Sequence, residues 1–451
     1  MGRGPFRRPV AAYGRHMRDL ASRLPSSPGF WRSPLRGPRF TSVLGLVLLV
    51  GVPVLFVTGL LSYAAYNPGL SPVNDKTPDK GILGFYLFSW PTDPTWLYRL
   101  TQGVHVTLGL ALIPVLLAKL WSVVPRLFTL PPVRSLAHAL ERISLLLLVG
   151  GALFEFVTGV LNVQLDYVFP GSFYPLHFYG AWVFFAAFLA HAALKTPAAV
   201  RNVRSMRDAR RRHPDAADRT AGQAADQTPD QAADDLVAPA PDAPTVSRRG
   251  ALWAVGGGSL LLLATSAGRS FDGPLRSTAL LAPHGGAEPG GGPNGFQINK
   301  TAAYAGIDPA ETGEEAWRLV VVGRTGTVRL ARADLLRMRQ HGAALPIACV
   351  EGWSTSDQAW RGVRLRDLAA LVGFDGDPPD VFVESLQRAG SFRHGALRAN
   401  QVADPRSLLA LSVNGGTLSA DHGYPARIIV PAAPGVLNTK WVARMTFGGL
   451  G

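Results

Sequence analysis

The chain has 451 residues, 47% of them hydrophobic, and a formal net charge of +14. A single soluble domain seldom joins those features, and the length accommodates two or three domains. One cysteine, Cys349, excludes an intrachain disulfide and any CxxC zinc or c-type haem motif.

Residues 1–39 form a basic tail with nine arginines. "FTSVLGLVLLVGVPVLFVTGLLS" (40–62) then carries no charge. At about 1.5 Å rise per residue it covers the roughly 30 Å of a bilayer's hydrocarbon. Apolar runs at 104–121, 143–163 and 176–194 follow, so residues 40–196 are predicted to be an all-α domain of four membrane spans. Arginines cluster in the tail, at Arg126 and Arg134, and from Arg201 to Arg212, whereas loops 64–95 and 164–174 hold few basic residues. By the positive-inside rule the N-terminus is cytoplasmic. The charge reads as topology and contact with the lipid bilayer. It does not read as nucleic-acid binding, because no aromatic platform is interleaved with it.

"FVTGLLSYAAYNPG" (56–69) returns 100 residues later as "FVTGVLNVQLDYVFPG" (156–171). Duplicated helix pairs suit a bundle that holds something between its halves. Gly59 and Gly159 would admit a flat ligand close to the backbone, or serve ordinary small-residue helix packing. Intramembrane histidines mark function by default, and imidazole is an axial haem ligand. His105 and His177 lie at matching depth near the outer ends of spans two and four. His191 lies fourteen residues past His177 on the same face, and its partner would be His138, just before span three. This placement resembles the membrane-bound b-type cytochromes with four helices. It implies one haem b on His105 and His177, with His191 and His138 as the pair for a second.

Residues 197–246, rich in Ala, Asp, Gln and Pro toward their end, are predicted to be a disordered cytoplasmic linker. "SRRGALWAVGGGSLLLLATSAG" (247–268) is a predicted fifth span. Its Ser-Arg-Arg resembles a twin-arginine export signal and reads equally as the span's cytoplasmic anchor. Residues 269–293 form an extracytoplasmic linker. From 294 to 451 the runs "WRLVVVG", "VFVESL", "LALSVNG" and "ARIIVPA" sit between turn signals, with helical stretches at 332–341 and 364–372. That pattern predicts a soluble α+β domain after the helix bundle.

Three stretches of this domain carry chemistry: "FQINKTAA" (296–303), "IACVEGWSTSDQAWRGVRLRDLAALVG" (347–373) and "LSVNGGTLSADHGYPARIIVPAAPGVLNTKWVARMTF" (411–447). Together they resemble the sulfite-oxidase family of molybdopterin-dependent oxidoreductases over nearly all of 294–451. The resemblance implies that the Cys349 thiolate binds molybdenum beside the pterin dithiolene, and a soft thiolate suits a redox metal. The pterin's phosphate needs cations. Arg427 offers a planar fork and Lys440 a point charge. The resemblance also implies cofactor contacts from Asn299, Ser385, His422, Asn438 and Thr439. His422 stands where the related methionine-sulfoxide reductases place an Asn. Two departures are plain. Val350-Glu351-Gly352-Trp353 replaces the Asn-Arg-Arg run of animal-type sulfite oxidases, and the sequence ends at Gly451 without room for their dimerisation domain. Both point to the bacterial reductase-like branch.

The expected protein is therefore a multi-pass enzyme of a bacterial cytoplasmic membrane, N-terminus inside and molybdopterin domain outside. Electrons would pass between membrane quinol or another donor, haem b and molybdenum. The molybdenum centre would transfer an oxygen atom on a small-molecule substrate, with reduction of an S-oxide or N-oxide favoured. One alternative is a transport or sensing protein whose outer domain lost its cofactor. Another is a haem-only reductase with that domain as a binding module.

Overall fold

The computed structural model describes residues 24–27, 30–70, 88–128, 135–163, 173–212, 241–270, 273–281, 291–298, 300–389 and 392–449. Five long helices come first: α1 (Pro38–Ala65), α2 (Leu97–Val123), α3 (Leu136–Val163), α4 (Phe173–Arg212) and α5 (Arg248–Ala267). Each contains a stretch long and apolar enough to cross a membrane. Their side chains do not all close into a core, for Val50, Leu146, Leu194 and Leu260 stand exposed. Apolar surface spread over so many helices is costly in water, and it points to a membrane protein. Two predicted linkers are shorter than expected. α4 continues through Arg212, because its Ala, Arg and Met residues are good helix formers. After α5, residues 273–278 form a helical turn, and Leu281 N donates to Thr265 O at 3.0 Å. Residues 213–240 lie outside the described residues.

The described residues fall into two compact units. One lies within Met1–Pro53, Ala111–Phe154 and Ala181–Leu261, the other within Val54–Leu110, Glu155–Gly180 and Leu262–Gly451. In the first, Arg36 stacks 4.1 Å over the Trp121 ring and Lys119 Nζ donates to Thr41 O at 2.7 Å.

The second unit contains ten described strands. They are β1 (Leu319–Gly323), β2 (Gly326–Leu330), β3 (His341–Leu345), β4 (Gln358–Arg364), β5 (Val381–Ser385), β6 (His394–Leu397), β7 (Leu408–Val413), β8 (Gly416–Thr417), β9 (Arg427–Ile429) and β10 (Val442–Phe447). One sheet runs β2-β1-β10-β5-β6, with β1 and β10 parallel. The other runs β3-β4-β7-β8, and β9 also pairs with β7. The four β-rich runs read from the sequence fall on β1, β5, β7 and β9, and the helical stretches on Arg332–Arg337 and Leu365–Ala370. Leu319, Val363, Leu368, Val383, Leu411, Ile428 and Met445 pack the main core between them.

Helix ends belong to this same unit. Ala64, Ala65 and Tyr66 of the first helix end cluster with Trp90, Tyr98 and Ala348. Asn67 Nδ2 donates to Ala396 O at 3.0 Å and to Gln401 Oε1 at 2.8 Å, and Trp90 Nε1 donates to Ala432 O at 2.7 Å. Buried polar atoms paired this way fix orientation, since breaking them leaves an unsatisfied group.

The register of β4 against β7 slips between Arg361 and Gly362. A Cβ on Gly362 would lie 2.0 Å from Leu409 O, a backbone atom that cannot swing aside. Gly362→Ala is therefore expected to destabilise the β domain by about 2 kcal/mol or more, read as a lowered denaturation midpoint.

Candidate functional site

Cys349 sits in the connection from β3 to β4, at the base of a closed turn. Its amide donates to Trp353 O at 2.8 Å and its carbonyl accepts from Gly352 N at 3.1 Å. Gly352 has φ +87°, which the turn needs and which glycine adopts without steric cost. The sulfur is buried and in no disulfide. Glu351, in the same turn, is buried as well, and its carboxylate accepts from Trp353 Nε1 at 2.8 Å. Tyr66, Tyr98 and Lys440 all lie close enough to Cys349 to interact with it electrostatically.

The cations lie on the return of the chain. Arg427 opens β9 and is 2% exposed. Its guanidinium donates to His422 O at 3.0 Å and Asn438 O at 3.3 Å, and lies 5.2 Å from the Trp360 ring centre. Lys440 Nζ donates to Lys300 O and to Asp421 O, each at 2.8 Å. Ser385 Oγ pins the Lys440 backbone by donating to its carbonyl at 2.7 Å. Asn438 Oδ1 accepts from Val430 N at 2.9 Å, which shapes the turn before Thr439. His422 is held at both nitrogens, Nδ1 2.8 Å from Ser419 Oγ and Nε2 3.2 Å from Phe296 O.

Burial lowers the Arg427 pKa to about 9, still a cation at neutral pH. Lys440 is pushed well below its ordinary value, by burial first and then by Arg427 and Lys300. Burial, with Arg427 and Lys440 adding to it, takes the His422 imidazole down to about 4. A buried guanidinium and a half-buried lysine, both bonded to carbonyls, make a site for an anion. The Nε of Arg427 and the Oγ1 of Thr439 are buried without a hydrogen-bond partner. Those orphaned donors, beside a buried thiol, fit a phosphate-bearing metal cofactor.

The family model described as oxidoreductase molybdopterin binding domain matches residues 305–449. This is a molybdopterin-binding domain of the sulfite oxidase family. Rat mitochondrial sulfite oxidase is 29% identical over 158 residues, which cover 29% of this chain and 29% of that one. The uncharacterized oxidoreductase YuiH of Bacillus subtilis is 28% identical over 132 residues, covering 29% of this chain and 65% of its own. A barley nitrate reductase [NAD(P)H] is 38% identical over 98 residues, covering 20% of this chain and 11% of that one. The chain thus spans less than a third of the sulfite oxidases it matches.

Within the molybdopterin domain, Arg427 bonds His422 and Asn438, Ser385 bonds Lys440, Thr439 stands between Asn438 and Lys440 in the chain, and Lys440 lies within electrostatic reach of Arg427 and Cys349. Asn299 lies outside the described residues, but its neighbour Lys300 bonds Lys440.

The helix histidines form a separate pair. The ring centres of His105 and His177 are 6.2 Å apart. His105 Nδ1 lies 3.0 Å from Leu55 O and 3.1 Å from Thr58 Oγ1, and Gly59 faces the ring. His177 Nδ1 lies 2.9 Å from Thr158 Oγ1 and 3.2 Å from Glu155 Oε2, and Gly159 faces that ring. Each Phe-Val-Thr-Gly repeat therefore receives one histidine. With Nδ1 committed to these oxygens, a metal would meet Nε2 on each ring.

Fourteen residues beyond His105 on α2 stands Lys119, as His191 stands fourteen beyond His177. Lys119 bonds Thr41 O and faces Gly45, each fourteen positions before Leu55 and Gly59. It repeats the His105 register with an ammonium in place of an imidazole, and it is a charged neighbour of His191. His138 is half-buried near the start of α3, its amide bonded to Ser135 Oγ. The spacing from His105, fourteen residues, is the sequence signal that marks this lysine.

The folded His422 pKa lies below the ordinary 6.5, so between about 6.5 and 4 the unfolded chain binds more protons. The domain is expected to lose stability as pH falls through that window. In denaturation curves at stepped pH, His422→Gln should flatten the slope there.

Proposed function

We propose that the protein is a membrane-anchored oxidoreductase that carries electrons from a membrane donor, through haem b on His105 and His177, to molybdenum on Cys349. The observation that carries this reading is the pairing of the buried Arg427 with Lys440, which lies within electrostatic reach of both Arg427 and the buried thiol. The bound cofactor supplies oxygen-atom transfer coupled to two electrons. Arg427 and Lys440 would hold its phosphate, Thr439 Oγ1 and Arg427 Nε have hydrogen bonds to give, and Cys349 would hold the metal. His422, neutral above about pH 4, adds no third charge to the anion site.

Haem fits the histidine pair. A metal–imidazole bond is about 2 Å, and the ring centre lies about 1 Å beyond the nitrogen, so two rings on one iron have centres about 6 Å apart. The observed 6.2 Å matches. The positive-inside pattern supports an N-terminus inside the cytoplasmic membrane of a bacterium and the molybdopterin domain outside.

Sulfite oxidation adds an oxygen atom and nitrate reduction removes one, so both kinds of relative support that reaction class. Reduction is favoured, since the buried Glu351 carboxylate in the cysteine turn disfavours an anion such as sulfite. A quinol supplies two electrons and two protons; an S-oxide takes up both and leaves as sulfide and water.

Metal analysis with a visible spectrum of the purified protein tests the whole reading: molybdenum and a reducible b-type haem are both expected. Cys349→Ser should abolish molybdenum-dependent turnover and leave the haem spectrum intact. His105→Ala and His177→Ala should each remove the same haem signal; a normal bis-imidazole spectrum in either would break the pairing. Arg248→Lys with Arg249→Lys keeps the charge at the start of α5 and discards an arginine-specific signal. If export uses that signal, the C-terminal domain of this variant stays protected from outside protease while the haem domain is stable. An exported, active domain would leave only an anchor.

A further inference from the structure

The turn that carries Cys349 is held by helix ends as well as by its own sheet. Gln102 on α2 is buried, and its Nε2 donates to Val350 O while its Oε1 accepts from Ser62 Oγ on α1. One helical turn further along α2, Val106 packs on Gly352: a Cβ at Gly352 would lie 2.7 Å from Val106 Cβ. Gly352 O accepts from Ser270 Oγ at 2.7 Å, and Ser270 O accepts from Arg99 on α2 at 2.9 and 3.1 Å. Ser354 N donates to Arg269 O at 3.2 Å, and Ser354 O accepts from Arg276 at 2.8 Å. Every one of these contacts falls between Cys349 and the end of its turn at Ser354.

The same stretch of α2 carries His105. Positions 102 and 106 lie one above the other on a helix, and 105 is on the adjoining face. One side of this turn of helix therefore meets the cysteine turn, and the next holds the imidazole against Leu55 O and Thr58.

We propose that Gln102 is a positioning residue that locks the Cys349 turn onto α2, and that electrons pass between the two centres through α2 residues 102–106 and the Val350–Gly352 backbone. The electron path rests on the haem and molybdenum reading above. A haem held by His105 and His177 would pass one electron at a time, and two such passages, with a quinol as the source, would serve one substrate oxygen. Gln102 touches neither metal nor substrate. Its role is to fix the gap, and displacements of about 1 Å in such contacts can cost about 10²-fold in rate.

The test uses the full chain in detergent. Gln102→Leu removes both hydrogen bonds. Gln102→Glu keeps the bulk and the bond from Ser62 but has no proton to give Val350 O, and it serves where the leucine variant fails to fold. Hydrogen exchange at the Gly352 and Ser354 amides should speed up in both variants, whether or not the cofactor is loaded. Reoxidation of the reduced haem by an S-oxide should slow by about tenfold or more. Turnover driven by reduced viologen, which feeds the molybdenum domain directly, should stay at the wild-type rate, as should molybdenum content and the haem spectrum. Unchanged exchange at the turn overturns the positioning role. Faster exchange with reoxidation within about twofold of wild type overturns the path. A wild-type protein lacking haem or molybdenum fails the underlying reading instead, and the exchange data still judge Gln102.

Discussion

A cation taken out of water must be compensated, and Arg427 is compensated only in part. Its guanidinium lies on Trp360 and donates to two carbonyls, while Lys440 beside it donates to two more. Carbonyl dipoles offset some of the desolvation cost but bring no net negative charge. The surrounding chain is built to keep the two cations there. Ser385 fixes the Lys440 backbone, Asn438 fixes the turn between them, and His422 is kept neutral by burial and by the same two charges. The turns around β9 are thus arranged to hold two basic side chains next to one another.

Much of this could be read from the sequence, because the cofactor residues act from short contiguous segments. Asp-His-Gly-Tyr-Pro-Ala-Arg and Asn-Thr-Lys-Trp each form a tight turn whose internal spacing sets the geometry. The four apolar β runs were legible for a similar reason: alternation and turn residues are local signals. Glu351 was legible as a departure but not in its role. Only the fold shows that its carboxylate is tied to Trp353. The helix contacts of the cysteine turn were not legible at all. Gln102 and Val350 are 248 positions apart, and an amide in an apolar run gives no sign of which carbonyl it will meet.

The duplicated Phe-Val-Thr-Gly teaches a related lesson. Its glycines drew attention, and the structure does place a ring against each of them. The threonines next to them meet the histidines through Nδ1, a role that a packing argument does not suggest. By residue type, Lys119 near the end of a span reads as an interfacial anchor. Its register says otherwise. It bonds Thr41 O just as His105 bonds Leu55 O, so position along the helix identifies it where residue type misleads. The level of Lys119 and His191 joins a cation to an imidazole, and is chemically unlike the level of His105 and His177.

The thiol and the two cations differ in what holds them. Arg427 and Lys440 would take its phosphate, on the side where Phe296 and Lys300 meet the cluster. Cys349 would take its metal, and the cysteine turn is the part that α2 holds. The part of the site that carries the thiol is thus the part that meets the helix ends. The helix ends also wall the cysteine turn with aromatic side chains. Tyr66, Tyr98 and Trp90 are buried in one cluster with Ala348, next to the thiol in sequence.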